Sequence, residues 1–222
     1  MRFKDVFSII GPAMVGPSSS HTAGAARIGR TARLLFGECP ARAVIWLYGS
    51  FAATYRGHGT DTALVGGLLG MATDDPRLPD AFAHAEAAGM AVSISPGKGL
   101  YPHPNTAELQ LSSADGSRAL QLTGTSIGGG NVEIVRINGF SLKLSASYPT
   151  LTIRHRDETG VIAVVTGLLG SVGINIAHMS VDRRSRRGDA MMVLECDAVP
   201  DPDTLEAISA LPAVQELRVL AV

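Results

Sequence analysis

Residues 150–222, TLTIRHRDETGVIAVVTGLLGSVGINIAHMSVDRRSRRGDAMMVLECDAVPDPDTLEAISALPAVQELRVLAV, carry the clearest fold signal in the chain. Residues 151–155 alternate in the manner of a half-buried strand. Asp157-Glu158-Thr159 offers a helix start, with Thr159 as the expected cap. The following stretch, 160–171, places Val161, Val164, Val165, Leu168 and Leu169 on one helical face, and Gly173 closes it. Residues 174–181 read as a second strand, 182–188 as a polar hairpin connection and 189–196 as a third strand. A short helix over 202–211 and a strand over 214–222 complete the order βαββαβ. That is the ferredoxin-like pattern, for which an antiparallel sheet with both helices on one face is expected.

Upstream, the character of the chain changes. Twenty of the 25 glycines precede residue 150, and the charge balance shifts from 12 basic and 10 acidic groups before 150 to 7 and 10 after it. Pro149 fixes its own φ and biases Tyr148 toward an extended form, so the expected domains are 1–149 and 150–222. The first part reads as α+β rather than as repeated βα units. A helix is expected over 18–36, with Ala25, Ile28, Ala32 and Leu35 on one stripe and Arg27, Arg30 and Arg33 opposite. A strand follows at 42–48, then helices at 60–71 and 79–88, then short strands at 91–95, 106–111, 118–124, 131–137 and 140–144.

Composition excludes several classes. The chain has 222 residues, 45% of them hydrophobic and 18% charged, which suits a packed core rather than a disordered chain. Its formal charge of −1 argues against a nucleic-acid protein. No apolar run approaches the ~20 residues of a membrane span. The opening MRFKDVFSIIGPAMVG, broken by Asp5, Gly11 and Pro12, makes a poor signal peptide, so a cytoplasmic protein is expected. The two cysteines, Cys39 and Cys196, stand far apart without a CxxC, so no cysteine-rich metal site is expected in this chain.

Four segments of the first part bear chemistry. Ser18-Ser19-Ser20-His21-Thr22, after Gly16-Pro17, masses hydroxyls and an imidazole at a helix start, where free N–H groups favour an anion; simple capping needs only one of them. Gly57-His58-Gly59-Thr60-Asp61 frames a histidine with flexible backbone, and the plainer reading is a turn followed by a helix capped by Thr60. His103-Pro104-Asn105-Thr106 is either a stiff loop or a site loop. Thr125-Ser126-Ile127-Gly128-Gly129-Gly130 can present successive N–H groups to an anion, or serve as an ordinary hairpin turn. Arg183, Arg184, Arg186 and Arg187 read as a solvated hairpin.

Taken together and in this order, GPSSSHTAG, GHGTD, HPNT and SIGGG resemble the beta subunit of the iron–sulfur-dependent L-serine dehydratases. The resemblance covers the whole chain. Residues 1–149 look like that family's beta domain, similar in fold to the allosteric substrate-binding domain of phosphoglycerate dehydrogenases. Residues 150–222 look like an ACT domain, a small-ligand module, through Gly160, Gly173 and Asn175.

The resemblance implies conversion of L-serine to pyruvate and ammonia. It implies a [4Fe–4S] cluster ligated by cysteines of an alpha subunit, an active site shared between the two chains, and no activity in this chain alone. On that basis His58, His21 and His103 are the expected proton carriers, with His58 first and Asp61 orienting a histidine. Ser18, Ser19, Ser20, Thr22, Asn105, Thr106, Ser126 and the Gly128, Gly129 and Gly130 backbone are the expected contacts to L-serine. Asp157, Gly160, Gly173 and Asn175 would line an ACT ligand pocket, and ACT domains would pair copies of the chain. The competing reading is a non-catalytic amino-acid-sensing regulatory protein.

Overall fold

The computed structural model describes residues 12–99 and 101–221; the opening MRFKDVFSIIG lies outside them. By compactness the chain divides between Asn138 and Gly139.

In the first unit a π-helical turn, Ser19–Ala23, runs straight into helix α1, Gly24–Phe36. Ala25, Ile28, Ala32 and Leu35 are all buried, as the stripe predicts, and Gly37, at φ 92°, closes the helix in the left-handed conformation. Strand β1, Arg42–Tyr48, leads into a short helix α2, Gly49–Thr54, that periodicity does not reveal because six residues are too few. Helix α3, Thr60–Leu68, is followed by a 3-10 turn, Leu78–Asp80, and α4, Ala81–Ala87. Strands β2 (Ala91–Pro96), β3 (Asn105–Ser112), β4 (Ala119–Gly128) and β5 (Asn131–Ile137) follow, and β6 (Phe140–Leu144) opens the second unit.

In the first unit the sheet order is β2-β1-β3-β4-β5. Strand β2 pairs parallel with β1 across the helical connection, while β1, β3, β4 and β5 pair antiparallel with their neighbours. Alternation sets the core: Ala43, Ile45 and Leu47 of β1, Leu109 and Leu111 of β3 and Leu122 of β4 are buried. Helices α1 and α3 meet backbone to backbone. A Cβ at Gly67 would run into the Ala26 carbonyl and the Arg30 amide, and one at Gly29 into the Leu64 carbonyl.

The second unit holds the βαββαβ order: β7 (Thr150–Arg156), α5 (Val161–Ser171), β8 (Ile176–Arg183), β9 (Asp189–Cys196), α6 (Pro202–Ser209) and β10 (Val214–Leu220). Its sheet, β10-β7-β9-β8, is antiparallel throughout. Val161, Val165 and Leu169 of α5 and Ile208 of α6 share one core with Leu151, Ile153, Met192, Leu194 and Cys196, so both helices cover the same face. Strand β6 belongs to this compact unit. Its Ser141 and Lys143 amides donate to Asp182 Oδ2 (2.7 Å) and Ser180 Oγ (3.3 Å). Ser145 donates through N and Oγ to Glu195 Oε1, at 2.8 and 2.7 Å, which satisfies that buried carboxylate.

Two expectations here are corrected. Thr159 is not the cap of α5: Gly160 takes that position at φ 93°, and no side chain bonds to the helix start. The arginine hairpin is not wholly solvated. Arg183 Nη1 and the Arg187 amide both donate to Asp157 Oδ2 (3.0 and 3.1 Å), and the Arg184 guanidinium lies over the Phe140 ring at 4.8 Å.

Candidate active site

The site grows from the π-helical turn. Ser18 has extended backbone and accepts from the His21 amide through Oγ (3.2 Å), so one serine of the cluster caps the turn. Wide π turns recur at functional sites because the extra residue redirects side chains. Here the turn sets the His21 imidazole among hydroxyls. Its Nδ1 lies 3.1 Å from Ser20 Oγ and 3.4 Å from Ser18 Oγ, and its Nε2 lies 3.0 Å from Ser50 Oγ. The ring meets Phe51 edge-on at 5.3 Å. Burial, then the neighbouring His58, lower the His21 pKa from 6.5, so the ring is neutral at pH 7.

The second segment is strapped onto the first. Thr22 Oγ1 donates to the His58 carbonyl at 3.0 Å, and the His21 and His58 rings stand 5.0 Å apart. Gly59, at φ 64°, makes the left-handed turn before α3. Thr60 is not the helix cap: it is fully buried, and among the described residues its hydroxyl has no partner. Among the described residues, the bond of Asp61 is to its own helix rather than to a histidine. Its Oδ1 accepts from the Thr62 amide at 2.9 Å, and the groups holding His21 are serines.

The third segment reaches the first through Gly49. This residue, at φ 57°, bridges to Asn105, and the Phe51 amide donates to the Pro104 carbonyl. A Cβ at Gly49 would meet the Pro104 backbone, which explains glycine beside Ser50. His103 stays within its own loop: its Nδ1 accepts from the Asn105 amide (3.2 Å), and its carbonyl accepts from Thr106 Oγ1 (2.7 Å).

The fourth segment packs on the start of α1. Ser126, fully buried, lies against Gly24, and the Gly130 carbonyl accepts from Arg27 Nη1 at 3.1 Å. Gly129 and Gly130, at φ 60° and 77°, form the two-residue connection of a β4–β5 hairpin, the φ pattern of a type I′ turn.

Five buried side-chain polar atoms lack a partner among the described residues. Four of them, His58 Nδ1, Thr60 Oγ1, Asn105 Oδ1 and Ser126 Oγ, belong to these segments. Each such atom costs about 1–3 kcal/mol unless something satisfies it. His58 also lines a cleft of about 400 Å³ with Ala53, Thr54, Tyr55, Arg56 and Gly57. Sequence reading missed Ser50 and Arg56. The only signal for Ser50 was a glycine–hydroxyl pair directly after a buried strand.

The Serine dehydratase beta chain family model matches residues 3–88, and the ACT domain model matches 149–213. The probable L-serine dehydratase beta chain of Bacillus subtilis is 47% identical over 221 residues, spanning 100% of both chains. The chain belongs to the L-serine dehydratase beta-chain family. The L-serine dehydratase beta chain of Peptoniphilus asaccharolyticus is 37% identical over 192 residues, 86% of each chain. A D-3-phosphoglycerate dehydrogenase of Synechocystis is 29% identical over 80% of this chain and 31% of its own.

In this family member the ACT positions are spread out. Gly160 (φ 93°) and Gly173 (φ 74°) flank the 11-residue α5, whose length is about 16 Å. Asn175 Nδ2 donates to Asp197 Oδ2 (3.2 Å). No group of three or more His, Cys, Asp or Glu converges as a metal set among the described residues, and no helix among them is long and apolar enough to cross a membrane.

Proposed function

We propose that this chain supplies half of the active site of a two-subunit L-serine dehydratase, converting L-serine to pyruvate and ammonia, with a cysteine-bearing alpha chain supplying the other half. The observation that carries this reading is the set of unpartnered buried polar atoms on His58, Thr60, Asn105 and Ser126, which belong to three of the four motif segments. An amino acid with a carboxylate, a hydroxyl and an ammonium is a fitting ligand for such a set.

The chain's own residues do not fit a [4Fe–4S] cluster. Cys196 is buried in the second unit's core with its thiol toward the Leu194 carbonyl, and Cys39 is its sole fellow, against the roughly four thiolates a cluster needs. The cluster and its ligands therefore fall to the alpha chain in this reading.

What remains for this chain is proton handling and orientation. His58, on the wall of the cleft, takes the proton from the serine Cα and returns it to the departing β-hydroxyl, which leaves as water. The resulting enamine tautomerises and hydrolyses to pyruvate and ammonia. Neutral His21, gripped by Ser20 and Ser50, positions the donors around it. Thr22 spends its hydroxyl holding two segments together and Thr106 spends its own within the His103 loop, which leaves Ser18, Ser20, Asn105 and Ser126 to face the substrate. Self-association through the second unit belongs to the same reading, since α5 leaves Ile162, Val164 and Val172 exposed at 40%, 48% and 45%.

The test is anaerobic co-expression with the alpha chain and a serine-dependent pyruvate assay. His58→Ala is expected to lower kcat by about 10²- to 10⁴-fold with the complex still assembled. Full turnover in that variant would remove His58, and a cluster-loaded wild-type complex without turnover would favour an amino-acid sensor.

A further inference from the structure

A second polar cavity lies in the first unit, lined by residues outside the four motifs. It measures about 420 Å³, within the range of small-ligand sites, and is lined by Trp46, Tyr48, Pro96, Gly97, Lys98, Glu108 and Gln110. Trp46 and Glu108 are direct cross-strand partners of β1 and β3, so their side chains share one face of the sheet.

Glu108 is a built acceptor. Its Oε2 accepts from the Tyr48 and Tyr101 hydroxyls at 3.2 and 3.1 Å, and its Oε1 accepts from Gln121 Nε2 at 2.8 Å. The two tyrosine rings pack against each other with centroids 4.3 Å apart and planes tilted by 52°. Burial and the Glu108 charge push the Tyr48 phenol up to about 12, so it stays a donor throughout the neutral range. Gly97 allows the end of β2 to run over the Tyr48 ring, where a Cβ would collide, and this brings Lys98 to the rim. Among the described residues, Lys98 and Glu108 have no ion-pair partner, within the pair or elsewhere. The cavity thus presents an anion, a cation and an indole wall to one small volume.

We infer that this cavity binds a free α-amino acid as its zwitterion, with the ammonium on Glu108, the carboxylate on Lys98 and the side chain against Trp46. A pre-organised carboxylate beside aromatic rings suits an ammonium group, and a mobile lysine suits a carboxylate. The site uses none of the residues assigned to the dehydratase reaction, so it stands or falls independently of that assignment.

Trp46 is the only tryptophan in the chain, so its fluorescence reports the cavity directly. The full-length chain is titrated with each protein amino acid across the millimolar range, with n-butylamine and butyrate as single-charge controls. A saturable change is expected for at least one amino acid and for neither control. Glu108→Gln and Lys98→Met, checked for native circular dichroism, are each expected to weaken it about tenfold, the loss of one charge-assisted contact. Absence of a saturable change in the wild-type chain overturns the proposal. So does an equal response to either control, or unaltered binding in both variants. A response lost in His58→Ala but kept in Glu108→Gln belongs to the histidine site and overturns it as well.

Discussion

Ser50 holds the Nε2 side of His21 at 3.0 Å and Ser20 the Nδ1 side at 3.1 Å, so a ring with no acidic partner is still fixed in orientation. Removing one such bond costs about 1 kcal/mol, roughly five- to tenfold in a rate that depends on it. Ser50→Ala is therefore expected to lower kcat by about that factor in the assembled enzyme without a change in complex formation, read by single-turnover kinetics. The lowered His21 pKa also carries a sign for stability. The folded state resists protonation there, so the His21 contribution is fully present above 6.5 and is lost as pH falls toward the lower folded value. Urea midpoints followed downward through this window are expected to fall less steeply in His21→Gln than in the wild-type chain.

At the scale of elements, the contact between α1 and α3 depends on glycine. A Cβ at Gly67 would press on the backbone of α1 at Ala26 and Arg30, which cannot yield as a flexible side chain can. Gly67→Ala is expected to cost about 2 kcal/mol in denaturant unfolding, the usual range for overpacking. Because α1 continues the π turn that carries His21, the same variant is expected to lose activity as well. In the second unit Leu169 is fully buried under the sheet, and Leu169→Ala is expected to cost about 3 kcal/mol through lost burial and a cavity. These two elements were legible to different degrees. The stripe of α1 and the bounds of β1, β5, β6 and β9 follow from periodicity, whereas α2, six residues between a strand and a turn, has no period to read.

For the molecule as a whole, unpartnered buried polar atoms lie on three of the four motif segments among the described residues, and the proposed reading has an alpha chain complete that site. The chain alone is expected to form no pyruvate from L-serine, and adding the cluster-loaded alpha chain is expected to start turnover. An anaerobic pyruvate assay of each chain and of the pair measures this. Pyruvate from this chain alone would require its catalytic groups to be complete within it.

Local chemistry in the chain was enough to mark His21, His58, Asn105 and Ser126 as candidates, because the hydroxyls, imidazoles and glycines massed in these short loops exceed what one cap or turn needs. It was enough, too, for the βαββαβ order, where strand and helix periods alternate cleanly. What only the tertiary structure decided is who meets whom. Thr22 became a strap, Asp61 turned to its own helix, and Ser50, 29 residues from His21, became that ring's partner. Such roles depend on a π turn, a left-handed glycine and a parallel β1–β2 crossover converging in space. Those are long-range contacts, and no periodicity within a single segment encodes them.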